Sequence, residues 1–232
     1  MGLPYALNEV RERFWRFELT LATLADLYQA VNALCADYAA RGADEELARD
    51  LCPYFGVIWP AARGLALEVA RRERELAGRS VIELGCGLAL PSLVAAKGGA
   101  HVLATDLHPD VPGFLALNLA HNGLTAADIH YRELDWRADS CGGEFEWVLA
   151  SDVLYEAGHP SAVARALAAH VAPGGHILLA DPGRAYLQAC LDELAKLGFR
   201  HTLEVERVLD PALDRAGDRQ TREVFVIDLV RS

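Results

Sequence analysis

From residue 78 onward the chain alternates short apolar runs with helix-like segments, and this rhythm restricts the fold more than any other feature. Ser80 to Leu84, His101 to Thr105, Asp128 to Leu134, Glu146 to Ala150 and His176 to Ala180 are β-rich or continuously apolar, the pattern of strands buried in a parallel sheet. Ala89 to Lys97, Pro112 to Asn122 and Ser161 to Val171 carry helical patterns between them, and Tyr186 to Leu197 follows the last run. Strands and helices in alternation make βαβ units, which build an open, doubly wound, mostly parallel sheet.

Near its end the chain changes rhythm. Phe199 to Val208 and Glu223 to Val230 read as strands joined by a polar loop, "DPALDRAGDRQT", with no crossover helix. They are expected as an antiparallel pair at the edge, completing a seven-stranded α/β sheet. Residues 5 to 51, with apolar side chains at mixed three and four spacing in "FELTLATLADLYQAVNALCADYAA", are expected to form a helical cap. The expected organisation is an N-terminal helical extension, residues 1–52, packed on a core domain, residues 53–232.

Composition sets the bounds. A chain of 232 residues that is 52% hydrophobic can bury a substantial core. A formal net charge of -11 argues against a nucleic-acid partner, whose phosphates draw affinity from clustered Lys and Arg. No apolar stretch reaches the roughly 18 residues a membrane span needs, and the N-terminus, with Glu9, Arg11, Glu12 and Arg13, lacks a secretory apolar region, so a cytoplasmic protein without a membrane partner is expected; it is also expected to be a monomer. Cys35, Cys52, Cys86, Cys141 and Cys190 are odd in number and irregularly spaced, and the eight His residues form no ligand-spaced pair. Neither a disulfide framework nor a metal site is expected.

Chemistry is signalled first in "VIELGCGLALPS", residues 81 to 92, where Gly85 and Gly87 stand at the turn from a buried strand into a helix. Glycine there allows a tight turn and lets a ligand approach the backbone. The next strand, "HVLATD", ends on Asp106, about 20 residues further on, where doubly wound folds place an acid against a ribose diol. Together they imply an adenosine ligand. Leu90 and Pro91 take the place of the third small residue of a dinucleotide fingerprint, and proline removes a donor that a phosphate could use. A ligand without phosphates fits better.

"ELGCG", "TDLHPD", "LDW" and "SDVLYE" resemble, in order and spacing, the motifs of the class I S-adenosylmethionine-dependent methyltransferases, a Rossmann-like fold. Within that class the acid-x-x-aromatic pattern Asp152-Val153-Leu154-Tyr155 resembles the seven-β-strand protein-lysine methyltransferases. "PYFGVIWPAARGLA" and "DPGRAYL" are similar to the branch that contains the electron-transfer flavoprotein β-subunit lysine methyltransferases and bacterial relatives. The resemblance covers roughly residues 53 to 187.

It implies S-adenosylmethionine as cofactor, S-adenosylhomocysteine as product, and roles for particular residues. Gly85 and Gly87 would pass under the methionine part, and Asp106, next to Leu107, would hold the ribose. Glu83 would either fix the turn or meet the cofactor's ammonium. Asp135 and Trp136 would hold the adenine, although Trp136 could instead be a core aromatic. Trp59 would lie beside the cofactor or pack the N-terminal segment, with Ser151 on the cofactor side and Tyr54 on the substrate side. Asp152 and Tyr155 would accept hydrogen bonds from a lysine amine, Asp152 serving orientation before proton acceptance, or Asp152 would cap a turn. Arg184 would meet an acidic protein substrate, or "DPGR" would be only a turn with a helix cap.

The leading expectation is thus methylation of lysine on a protein substrate. The alternatives are methylation of a small amine or heteroaromatic base, a non-catalytic cofactor-binding regulatory module, and a dehydrogenase.

Overall fold

A computed structural model describes residues 3–41, 51–138, 140–210 and 220–231. A β-hairpin comes first, β1 (Leu7–Phe14) and β2 (Phe17–Leu24), followed by α1 (Leu27–Arg41). After a 3₁₀ turn at Tyr54–Gly56 come α2 (Pro60–Arg71), a short α3 (Glu73–Leu76), β3 (Ser80–Leu84), α4 (Leu90–Lys97), β4 (His101–Asp106), α5 (Val111–His121) and β5 (Ile129–Glu133). The remainder is β6 (Phe145–Ser151), α6 (His159–His170), β7 (Val171–Asp181), α7 (Leu187–Lys196), β8 (Phe199–Leu209) and β9 (Thr221–Arg231).

Seven strands form one sheet in the order β5-β4-β3-β6-β7-β9-β8. The first five in that order are parallel, and β9 joins β7 and β8 antiparallel, the expected edge pair. Most of the loop read in "DPALDRAGDRQT" lies outside the described residues. Consecutive strand residues serve opposite faces: Val81, Leu149, Leu178 and Val226 join one apolar cluster, while Ile82, Val148, Ile177 and Ile227 join the other. Helices α2, α4 and α5 cover the first face through Leu65, Leu93 and Phe114, and α6 and α7 cover the second through Leu167 and Leu194. The edge strand β8 is mostly exposed and carries charges, which blunts edge-to-edge pairing.

The expected helical cap is corrected by the hairpin. Residues 7–24 pair antiparallel, from Leu7 with Leu24 to Phe14 with Phe17, and only Leu27–Arg41 is helical; residues 42–50 lie outside the described residues. Two features override the helical spacing. Trp15 adopts φ 54°, the left-handed turn position that a two-residue hairpin needs. The outer edge of β2 is then satisfied by side-chain amides of Asn118 on α5 and of Asn122, which caps its C-terminus: Ala22 N–H donates to Asn118 Oδ1 at 2.7 Å, Thr20 N–H to Asn122 Oδ1 at 3.1 Å, and Asn122 Nδ2 returns a bond to Thr20 O at 2.8 Å. Phe14, Phe17, Leu19, Leu21 and Leu24 of the hairpin belong to the same apolar cluster as α2 and α5. Among the described residues no helix is long and apolar enough to cross a membrane.

Candidate active site

The order of strands reverses between β3 and β6, and the carboxyl ends there leave a crevice, the place where such sheets bind ligands. The crevice is deepened by the turn after β3. Gly85 and Gly87 have φ of +67° and +51°, and Ala89 follows at 58°. A Cβ on Gly85 would lie 3.1 Å from Val153 Cγ1, and one on Gly87 would lie 3.1 Å from Phe55 O. Both positions therefore present bare backbone.

Asp106 fastens this turn. Its Oδ2 accepts from Gly87 N–H at 2.9 Å and its Oδ1 from His108 N–H at 3.0 Å. Burial pushes its carboxyl up, opposed by those two amides. Each oxygen keeps a second lone pair for a ligand hydroxyl. His108 is buried with its ring 4.2 Å from that of Phe55, closing the floor beside Leu107.

Glu83 sits behind the glycine turn. Its Oε2 accepts from the Ser92 amide at 3.1 Å and from the Ser92 hydroxyl, so it ties β3 to the first turn of α4. The side chain is fully buried and does not line the cavity, which favours a turn-fixing role over contact with a cofactor ammonium. Burial raises its pKa to about 8.

On the other side of the crevice, Asp135 is held by Arg137 through Nε at 2.9 Å and Nη2 at 3.0 Å, and Arg137 keeps its carboxyl below the usual range. The neighbouring Trp136 meets the edge of His159 at 5.1 Å between centroids. The same imidazole meets the Tyr155 ring at 4.4 Å, and its Nδ1–H donates to Val153 O at 2.9 Å. Tyr155 itself is 58% exposed, at the mouth.

Asp152 follows β6 with φ 59°, a left-handed conformation that non-glycine residues adopt mainly under constraint. Its Oδ2 accepts from Ala61 N–H at 3.0 Å, at the N-terminal turn of α2, and its Oδ1 lies 2.6 Å from Arg184 Nη2. Burial raises the carboxyl, with the Arg184 guanidinium acting against it. Arg184 also pairs with Asp181 at 3.1 Å, whose other oxygen accepts from the amides of Gly183 and Arg184. The turn-cap reading of "DPGR" is thus realised locally, while the guanidinium reaches the candidate catalytic acid.

Tyr54, Trp59, Gly85, Gly87, Asp106, Leu107, Asp135, Trp136, Ser151, Asp152, Tyr155 and Arg184 all line one cavity of about 570 Å³. Of the residues given a site role in the sequence, only Glu83 does not line it. Sequence reasoning missed Phe55 and His108, which sit inside quoted motifs but had no signal of their own, and the Ala61 amide. The cavity is in the size range of cofactor sites. Its bare glycine turn, the acid Asp106 beside that turn and its aromatic wall fit S-adenosylmethionine. A separate convergence of Glu68, Glu204 and Glu206 is paired with Arg71, and Glu68 also with Arg72.

A family model described as lysine methyltransferase matches residues 50–189. The chain is similar to protein-lysine methyltransferase METTL21E of Bos taurus, 38% identical over 117 residues that make up 46% of this chain and 39% of that protein. It is also similar to a ubiquinone biosynthesis O-methyltransferase of Aromatoleum aromaticum, 31% identical over 64% of this chain and 65% of that protein. The electron transfer flavoprotein beta subunit lysine methyltransferase of Xenopus laevis is 28% identical over 57% of this chain and 54% of its own length. The chain thus spans less than two thirds of each of these relatives. Among solved structures, precorrin-6y C5,15-methyltransferase from Geobacter metallireducens shares the fold, with a TM-score of 0.58 at 16% identity over 73% of this chain and 88% of that one.

Proposed function

The chain belongs to the lysine methyltransferase family, and on that premise we propose that it transfers a methyl group from S-adenosylmethionine to a lysine side chain of a protein substrate. The observation that carries this reading is the convergence of the glycine turn, Asp106 and Asp152 on one cavity. Bound there, S-adenosylmethionine supplies a methyl group made electrophilic by a sulfonium.

The residues of this chain then have the following work. Gly85 and Gly87 admit the methionine part against bare backbone, and Asp106 beside Leu107 accepts the ribose hydroxyls. Asp135 and Trp136 bracket the adenine, and Trp59, whose Nε1–H is anchored to Tyr54 O at 2.8 Å, closes the cavity with Ser151 on the strand side. The acceptor must present a lone pair, yet a lysine with a pKa near 10.4 is almost wholly protonated at neutral pH. Apolar and aromatic walls that exclude water lower the amine's pKa. Asp152, whose carboxyl is pushed up by burial, takes the proton that the ammonium gives up, and with Tyr155 it accepts hydrogen bonds from the N–H groups that remain and aims the lone pair. Alignment of this kind supplies roughly 7–11 kcal/mol in well-oriented reactions.

The test is transfer of labelled methyl from S-adenosylmethionine into an extract of cells that lack the chain, where targets accumulate unmodified. Label recovered as methyl-lysine after hydrolysis of protein supports the reading. Label confined to small molecules would mean a small-molecule methyltransferase instead, as the similarity to the O-methyltransferases makes worth checking.

A further inference from the structure

Beside the first cavity is a second, of about 640 Å³, and the two share Val57, Ile58, Trp59, Asp152 and Arg184. Its outer wall is formed by Val10 of β1, Thr23 of β2 and Leu27 of α1, all outside the segment matched by the family model. Asp152 therefore lies between two spaces. A displacement at carbon requires acceptor and leaving group on opposite sides of the reacting atom, with orbitals aligned. Two cavities that meet at one carboxylate answer that requirement.

Resting on the reading above, we propose that the second cavity receives the lysine side chain and the short protein segment carrying it, and that the N-terminal hairpin is a wall of the substrate site. The chemistry of the lining suits this occupant. Val57, Ile58, Trp59 and Pro60 can cover the four-carbon stem, and the acid lies where the amine would emerge. Other charges in the wall are already matched: Arg63 by Glu12 at 2.8 and 2.7 Å, and Arg222 by Asp210 at 2.6 Å. The chain's net charge of -11 favours approach of a basic segment.

The ion pair between Arg184 and Asp152 then acts as a gate. The lysine amine replaces the guanidinium at Asp152 Oδ1, while Asp181 retains Arg184 at the rim. The released guanidinium face is available to an oxygen of the incoming segment.

Val10→Trp and Leu27→Trp fill the cavity from the hairpin side, and Leu203→Trp, on the exposed strand β8, serves as a control. In the label-transfer assay both filling variants should lose at least about tenfold in rate while their affinity for S-adenosylhomocysteine stays within about twofold, since only the acceptor is displaced. Leu203→Trp should match the wild type. Undiminished transfer in a folded filling variant overturns the inference. Absence of any transfer by the wild type overturns the underlying reading as well, and is distinguishable because it precedes any substitution. Should both filling variants unfold, a crystal of the wild type with S-adenosylhomocysteine and poly-L-lysine decides: a side chain in the second cavity supports the proposal, and one entering only past Tyr155 contradicts it.

Discussion

The amide of Ala61 donates to Asp152 Oδ2 at 3.0 Å across 91 positions of sequence, so the acid at the end of β6 is anchored to the N-terminal turn of α2. A carboxylate so placed gains from the helix dipole as well as from the hydrogen bond. It is held in one orientation in the wall shared by the two cavities.

Asp152→Asn keeps the shape and one acceptor but removes the charge to which the proposed mechanism assigns the steering of an amine. Turnover should fall about 100-fold while the affinity for S-adenosylhomocysteine changes by less than about threefold, because the loss is in alignment of the acceptor. Steady-state kinetics beside calorimetry checks this. Unchanged turnover would remove Asp152 from the mechanism.

Gly85→Ala places a Cβ at φ +67° and 3.1 Å from Val153 Cγ1. The left-handed conformation alone costs a non-glycine residue roughly 1–2 kcal/mol. Urea unfolding should register that loss, and cofactor binding should weaken further because the methyl group occupies the ligand's surface.

The parts of this site that could be read in the sequence are those made by neighbours in the chain. Gly85 and Gly87 follow directly on β3, and Asp106 ends the next strand, so local spacing was enough to bring them together. The hairpin was not legible, because its turn, Trp15-Arg16, carries none of the Asn-Gly or Asp-Gly signals and its edge is satisfied by Asn118, 96 residues beyond Ala22. The same is true of the second cavity, whose walls come from β1, the segment before α2 and the turn after β7. Glu83 was ambiguous for a different reason: an acid at that position could face either the ligand or α4, and its contacts to Ser92 arise only in the folded chain.

Asn118→Ala tests the docking of the hairpin. It strands the buried Ala22 amide and removes a bond to Leu88 O, so a loss of about 1–3 kcal/mol is expected. Hydrogen exchange should quicken selectively in residues 17–24. A variant as stable and as protected as the wild type would show that the amide contact contributes nothing.

Glu83 makes stability depend on pH. Its folded pKa, about 8, is above that of an unfolded glutamate, so the folded state holds the proton more tightly. That contribution is complete below about pH 4.3 and is lost as the pH rises through the folded value. Glu83→Gln should therefore gain thermal stability relative to the wild type as the pH goes from about 5 to about 8. Parallel melting curves across that range would contradict the buried, proton-holding carboxyl.

Calorimetric titration with S-adenosylhomocysteine addresses the cradle formed by Gly85, Gly87 and Asp106 without needing the acceptor. The expected result is one-to-one binding that weakens at least about tenfold in Asp106→Ala, the scale of losing hydrogen bonds to a charged group. No heat with the wild type, or binding of NAD in its place, would mean that the cavity is not a site for a sulfonium nucleoside.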